Sequence, residues 1–203
     1  MKKWLKLGAA AVLLLCLTGC AGKNDSKEQL VTNLEIQKNG QIVHTIYSDF
    51  KEAYYDLDDL SDMVQTSIRE FELNNPNSEI VLKSCELVGA DKDTVKVVME
   101  YSDSDAYTKY NGETLFVGTI QEAYKKGYDL NMDMSAVSQK EETSTINRDD
   151  LLDMGTHHIV ISDENLTISV YGKIQYISSG VTYEDKNTVV MEQTQGKSAI
   201  VFK

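Results

Sequence analysis

Three histidines, a cysteine embedded in apolar sequence, and several paired aspartates are the side chains most able to do chemistry. His157 and His158 suggest a metal. Adjacent residues on a strand point to opposite faces, however, so the pair could not grip one ion from regular β geometry. His44 is remote from both, and neither an HExxH helix nor a cysteine-histidine array occurs. The pairs Asp91/Asp93, Asp103/Asp105 and Asp129/Asp133 suggest calcium. None has the alternating ligands, central glycine and terminal glutamate of an EF-hand loop, so turn and cap chemistry accounts for them. Ser48 to Lys51, SDFK, has the S-x-x-K spacing of an acylating serine. The companion motifs are missing: Ser162 opens SDE where SDN is needed, and no KTG follows. Gly196-Lys197-Ser198 fails as a phosphate loop because Met191 stands where its first glycine belongs. Cys85 lies alone in a strand-like apolar run with no basic neighbourhood to form a thiolate, which describes a small buried hydrophobe.

Tyrosine is the other resource. The chain has 11 of them, among them Tyr54, Tyr55, Tyr107, Tyr110, Tyr124 and Tyr128. A phenol joins an apolar face to a hydrogen-bonding hydroxyl, and such residues suit a groove for glycan or peptide as well as a protein core. No nucleophile and base are paired by spacing, so no catalytic residue, cofactor or metal ligand is assigned, and the expectation is binding and not catalysis.

The N-terminus is more specific. Lys2, Lys3 and Lys6 precede an apolar run from Leu7 to Leu17, shorter than the ~20 residues that span a membrane, and this reads as a signal peptide over residues 1–19. Leu17-Thr18-Gly19-Cys20 then resembles the lipobox of bacterial lipoproteins. That resemblance implies cleavage before Cys20, a diacylglyceryl group on its sulfur, and a mature chain anchored on the extracytoplasmic face of the cell membrane. Two acyl chains suffice for stable anchoring. Residues 20–29 lack apolar periodicity and read as a lipidated tether. Beyond the anchor the chain is similar to small bacterial lipoproteins, and that likeness carries no site residue across.

Composition narrows the partners. The net charge is -12, and it becomes three units more negative once Lys2, Lys3 and Lys6 leave with the signal. Such a chain is a poor match for nucleic acid, whose binding depends on lysine and arginine at phosphates. An anionic membrane repels it too, so contact with the bilayer is assigned to the acyl group on Cys20. With Cys16 in the signal and Cys20 acylated, Cys85 has no disulfide partner. The reading is therefore a membrane-anchored binding or accessory module of the cell envelope with an unidentified ligand or protein partner. The alternatives are an envelope hydrolase acting on glycan, peptide or ester, and a small-molecule-binding lipoprotein associated with a transporter.

These residues need elements to position them. LEIQKNGQIVHTI reads as a hairpin. A three-residue loop, Lys38-Asn39-Gly40, with left-handed Gly40, pairs Ile36 with Ile42 and Leu34 with His44, and puts His44 on the apolar face. Leu57, Leu60, Val64, Ile68 and Phe71 recur at helical spacing behind an Asp56 N-cap, with Asn74, Asn75 and Pro76 as the stop. SEIVLKSCELVG and TVKVVMEYS form a second hairpin. Ser102 to Gly112 reads as a short capped helix, TLFVG as a strand, and Thr119 with Glu122 as a capping box ending at Gly127. Asn147 and Asp150 cap another short helix. HHIVIS, LTISVYG, KIQYIS, TVVMEQ and AIVFK read as strands of one antiparallel meander or small sandwich. The expected architecture is α+β: an N-terminal antiparallel sheet covered by one amphipathic helix over residues 30–137, a linker or exposed loop at 138–147, and a β-rich antiparallel region at 148–203. A single domain spanning 30–203 is the other division.

Overall fold

The computed structural model describes residues 30–137, 145–192 and 196–203. The signal segment 1–19, Cys20 and the tether to residue 29 lie outside the described residues. The chain opens with β1 (Asn33–Ile36) and β2 (Ile42–Asp49), antiparallel, with Leu34 opposite His44 and Ile36 opposite Ile42. This is the three-residue-loop register. Gly40 sits at φ 90°, a region that β-carbons disfavour, and the Gln37 amide donates to the Gln41 carbonyl to close the loop.

Helix α1 (Leu57–Asn74) starts at Asp56, whose side chain accepts from the Asp58 and Asp59 amides. Leu57, Leu60, Val64, Ile68 and Phe71 form its inward stripe. Strands β3 (Ile80–Val88) and β4 (Thr94–Tyr101) make the second hairpin, and every second residue of β4, Val95, Val97, Met99 and Tyr101, is buried. Helix α2 (Ser104–Asn111), capped by Asp103, leads to β5 (Leu115–Thr119). The Thr119–Glu122 capping box opens α3 (Ile120–Lys125), followed by β6 (Met134–Ala136). Of the expected 138–147 loop, residues 138–144 lie outside the described set. Thr145–Ile146 form β7, and Asn147 caps α4 (Arg148–Asp153) with Asp150.

The remaining strands are β8 (His158–Ser162), β9 (Leu166–Val170), β10 (Ile174–Ser178), β11 (Val181–Asp185), β12 (Thr188–Met191) and β13 (Ser198–Phe202). The protein is α+β, with two largely antiparallel sheets. They correct the single C-terminal meander, because β8, β10 and β13 lie in one layer and β9, β11 and β12 in the other. One sheet runs β11-β12-β9-β1-β2-β4-β3 and the other β5-β8-β13-β10-β6-β7. Strand β9 pairs parallel with β1, so the N-terminal hairpins do not form a sheet of their own. Each sheet takes strands from both sides of residues 138–147.

The physical reason lies in side-chain pattern. Leu166, Ile168 and Val170 of β9 are buried and alternate with Thr167 and Ser169, as a strand with one wet face requires. Strands β8 and β13 read HIVIS and SAIVF, nearly continuous apolar runs, and are buried on both sides. The six-stranded sheet is accordingly the middle layer. Val160, Ile200 and Phe202 face Leu34, Ile36, Ile42 and Ile168 across the inter-sheet core. Ile159, Ile161, Ala199 and Val201 face the opposite way, toward Ile120, Ala123 and Leu151 of the short helices.

Candidate functional site

Two β-bulges define where the molecule opens. In β10 the pairing with β13 slips between Ile174 and Tyr176, leaving Gln175 as the extra residue. Ile174 packs into the inter-sheet core, whereas Tyr176, two positions on, packs against the cluster on the far side of the same sheet. Regular pleating would put both on one face, so the bulge turns the strand over. In β11 the pairing with β12 slips between Tyr183 and Asp185. These two strands, joined through Ser179 and Gly180, belong to different sheets, and a cleft of about 600 Å³ lies against them.

Ala136, Val137 and Ile174 give the cleft its apolar part, and Lys173, Gln175, Tyr176 and Tyr183 its polar part. Both tyrosines are half-buried. Among the described residues, the Lys173 ammonium, the Gln175 amide and the two phenol hydroxyls form no hydrogen bond or ion pair. Asp185, just beyond, is occupied: its carboxylate accepts from the Asn187 amide in the β11–β12 turn, and those backbone bonds hold its pKa below the usual range.

A second concavity of about 930 Å³ is lined by Lys126, Tyr128, Asp129, Asp133, Ser179 and Lys197 among others. Its cations are already engaged. Lys126 pairs with Asp105 at 3.1 Å, and Lys197 lies 5.2 Å from the centre of the Tyr128 ring. Asp129 accepts from the Asn131 amide in a turn. The β10–β11 cleft is therefore the stronger site.

The chemistry-bearing residues of the sequence fall elsewhere. His44 is on the inward face of β2, 8% exposed, with its ring 5.5 Å from that of Tyr107 and its Nδ1 without a partner. Burial lowers its pKa to about 4, so it is a neutral core residue at physiological pH. Tyr107 on α2 donates through its hydroxyl to Glu164 Oε2 at 3.0 Å. Burial raises the Glu164 pKa to about 7, Glu113 and Asp163 adding to the rise while the Tyr107 bond opposes it. Tyr101 sits edge-on to Tyr107, 5.1 Å between ring centres, and shares a hydrogen bond with Asn111. This buried polar chain ties α2 to both sheets. Neither cleft reaches it.

His157 precedes β8, and its carbonyl accepts from the Ile120 amide. His158 opens the strand and stacks on Phe202 at 5.3 Å. Ser48 is exposed at the end of β2, and Lys51 pairs with Asp49 at 3.0 Å. Cys85 is half-buried against the core, and burial raises its thiol pKa. Asp103 caps α2, and Asp93 accepts from the Thr94 hydroxyl. Among the described residues no group of three potential ligands is placed to hold a metal. Of the tyrosines singled out above, Tyr128 lines one of these two concavities, and the two in the preferred cleft, Tyr176 and Tyr183, were not among them. One signal existed for Tyr176: the apolar pair Ile174 and Ile177 is spaced by three, which breaks the two-residue period and marks a bulge.

What the fold and cleft define is a two-sheet α+β domain with a cleft along a bulged seam. No protein-family model, curated protein or solved structure matches the chain.

Proposed function

We propose that the chain is a lipid-anchored, extracytoplasmic binding module whose ligand sits in the β10–β11 cleft. The observation that carries the binding half is the set of four polar groups, on Lys173, Gln175, Tyr176 and Tyr183, left without protein partners around one cleft. These are solvent-facing donors and acceptors, and several of them converging on one concave surface are what a polar ligand needs to be held in one orientation. The anchoring half rests on the basic, apolar and Leu17-Thr18-Gly19-Cys20 segments in that order. In this reading the N-terminal strands with α1 above them, together with the β-rich C-terminal stretch, are a scaffold holding the cleft away from a bilayer that repels an acidic surface.

The test has two arms. Mass spectrometry of the membrane fraction should find a diacylglyceryl group on Cys20, and Cys20→Ser should move the folded protein out of that fraction. Retention of a folded Cys20→Ser variant overturns the anchor. Isotope-labelled full-length protein in non-ionic detergent, exposed to a library of polar and aromatic fragments, should show chemical-shift changes concentrated on residues 173–176 and 181–185. Shifts confined to other surfaces, or none at all, overturn the cleft.

A further inference from the structure

We infer that the β10–β11 cleft binds a carboxylate-bearing saccharide, an inference that rests on the cleft being the binding site proposed above. The first ground is a local inversion of charge. The chain carries 32 acidic and 20 basic side chains, yet the cleft lining contains no carboxylate and one lysine, Lys173, which is unpaired among the described residues. Lys186 is adjacent through its carbonyl, which accepts from the Ile174 amide. Lys173 thus gives the cleft one free positive charge, while the Asp185 carboxylate just beyond is engaged in its own turn, and a carboxylate is the ligand group that charge would meet.

Magnitude decides which effect wins. The overall field is screened over a Debye length of about 8 Å at physiological ionic strength, whereas an ammonium–carboxylate contact operates well inside that distance. Local attraction therefore outweighs the net charge once the ligand is in the cleft.

The second ground is the mixture of surfaces. Tyr176 and Tyr183, half-buried against the two core clusters, line the cleft with phenol groups that join ring and hydroxyl, and the Gln175 amide both donates and accepts. A pyranose ring matches this set, with C–H groups on its face for an aromatic ring and hydroxyls around its edge for amide and phenol. An inorganic anion would leave the aromatic faces unused. A purely apolar ligand would leave the amide and the two phenol hydroxyls without a use.

The third ground is construction. The bulge at Gln175 turns β10 over between Ile174 and Tyr176, and the bulge between Tyr183 and Asp185 bends the strand that faces it. Bulges re-aim side chains beside binding sites, and here both lie on the strands that line one cleft.

The experiment is calorimetric titration of full-length protein in non-ionic detergent with three probes: tetragalacturonic acid, its methyl ester, and a tetraglutamate peptide. The free acid should bind saturably, and the ester and the peptide at least about tenfold more weakly. Lys173→Gln, a surface change that leaves the fold intact, should erase the difference between acid and ester. Tyr183→Ala should weaken both sugars by about tenfold, and Tyr183→Phe should separate the hydroxyl from the ring. Equal binding of the ester overturns the carboxylate, and equal binding of tetraglutamate overturns the saccharide. Affinity unmoved by Lys173→Gln overturns the location. Failure of every saccharide in a protein whose cleft still shows fragment-induced shifts overturns the ligand class alone, whereas absence of those shifts overturns the binding site as well.

Discussion

The two sheets are built from similar residues under different constraints. In the seven-stranded sheet, apolar and polar positions alternate: Val95, Val97 and Met99 face the core while Lys96, Val98 and Glu100 face outward. Its outer surface is tied by modest contacts, Lys96 to Glu86 at 3.7 Å and Lys83 to Glu100 at 3.6 Å. In the six-stranded sheet, β8 and β13 have no outer surface, and all five residues of β13 are buried. A strand with one wet face records its sheet in alternation, and a strand between two layers records it in continuity. The same stabilising physics thus leaves a strand such as β4 tolerant on half its positions and β8 and β13 on almost none.

Truncating one aromatic in each sheet exposes this contrast most strongly. Phe116 of β5 is 2% exposed, packed on Tyr128 and next to the Ile120 cluster, and Phe116→Ala should cost about 3–5 kcal/mol in urea denaturation. Tyr47→Ala, on the outer face of β2, should cost below about 1 kcal/mol. Comparable losses would show that the outer face is covered in solution.

The buried chain between the sheets should make stability depend on pH in opposite directions. His44 has its folded pKa depressed from 6.5 to about 4, so its contribution is complete above 6.5 and is lost as pH falls toward 4. Glu164 has its folded pKa raised from 4.5 to about 7, so its contribution is complete below 4.5 and is lost as pH rises through 7. Between 4.5 and 6.5 the two slopes oppose each other. Glu164→Gln should keep the Tyr107 bond and stabilise the protein at pH 8 by about 1–3 kcal/mol, with partial exposure trimming the gain, while changing little at pH 4. Thermal melts across that range check it, and an unchanged pH profile would break the assignment.

Gly40 tests the first hairpin. A β-carbon there meets nothing within 4 Å, so the cost of Gly40→Val is conformational alone, about 1–2 kcal/mol by thermal melting. A stabilised variant would mean that the loop adopts another turn. The smallest effect sharpens the comparison: Val98→Thr, on the wet face, should lie within about 0.5 kcal/mol of the parent, while Val201→Thr buries an unpartnered hydroxyl at about 1–3 kcal/mol.

Local chemistry was legible and long-range chemistry was not. Which loop length closes LEIQKNGQIVHTI followed from where Leu34 and His44 had to face. The Asp56, Thr119 and Asn147 caps were readable because each serves amides two or three residues away. Strand β11 escaped because VTYED mixes exposed and half-buried positions with little apolar content. The parallel β1–β9 pair leaves no local mark. The bulges did leave one, unread: Ile174 and Ile177, and likewise Leu82 and Cys85 across the slip in β3, are spaced by three where a flat strand would use two. Of the site, the tyrosine–glycan idea was available from composition, but the cleft is a meeting of two sheets and its particular tyrosines depend on that meeting. His44, Tyr107 and Glu164 likewise come from three elements, and no spacing joins them.

The parallel pairing of β1 with β9 also governs when the molecule can finish folding. Leu34 must find Ile168, a partner that lies most of the chain away, before the seven-stranded sheet has its centre. Contacts of such range slow the search for the native state, because the loop must be closed before any pairing rewards it. An emerging chain can form the β1–β2 hairpin early, but that hairpin keeps an open edge until the last third has appeared. For the extracytoplasmic location proposed above, the consequence is that the topology itself postpones the compact state until nearly the whole chain has been made.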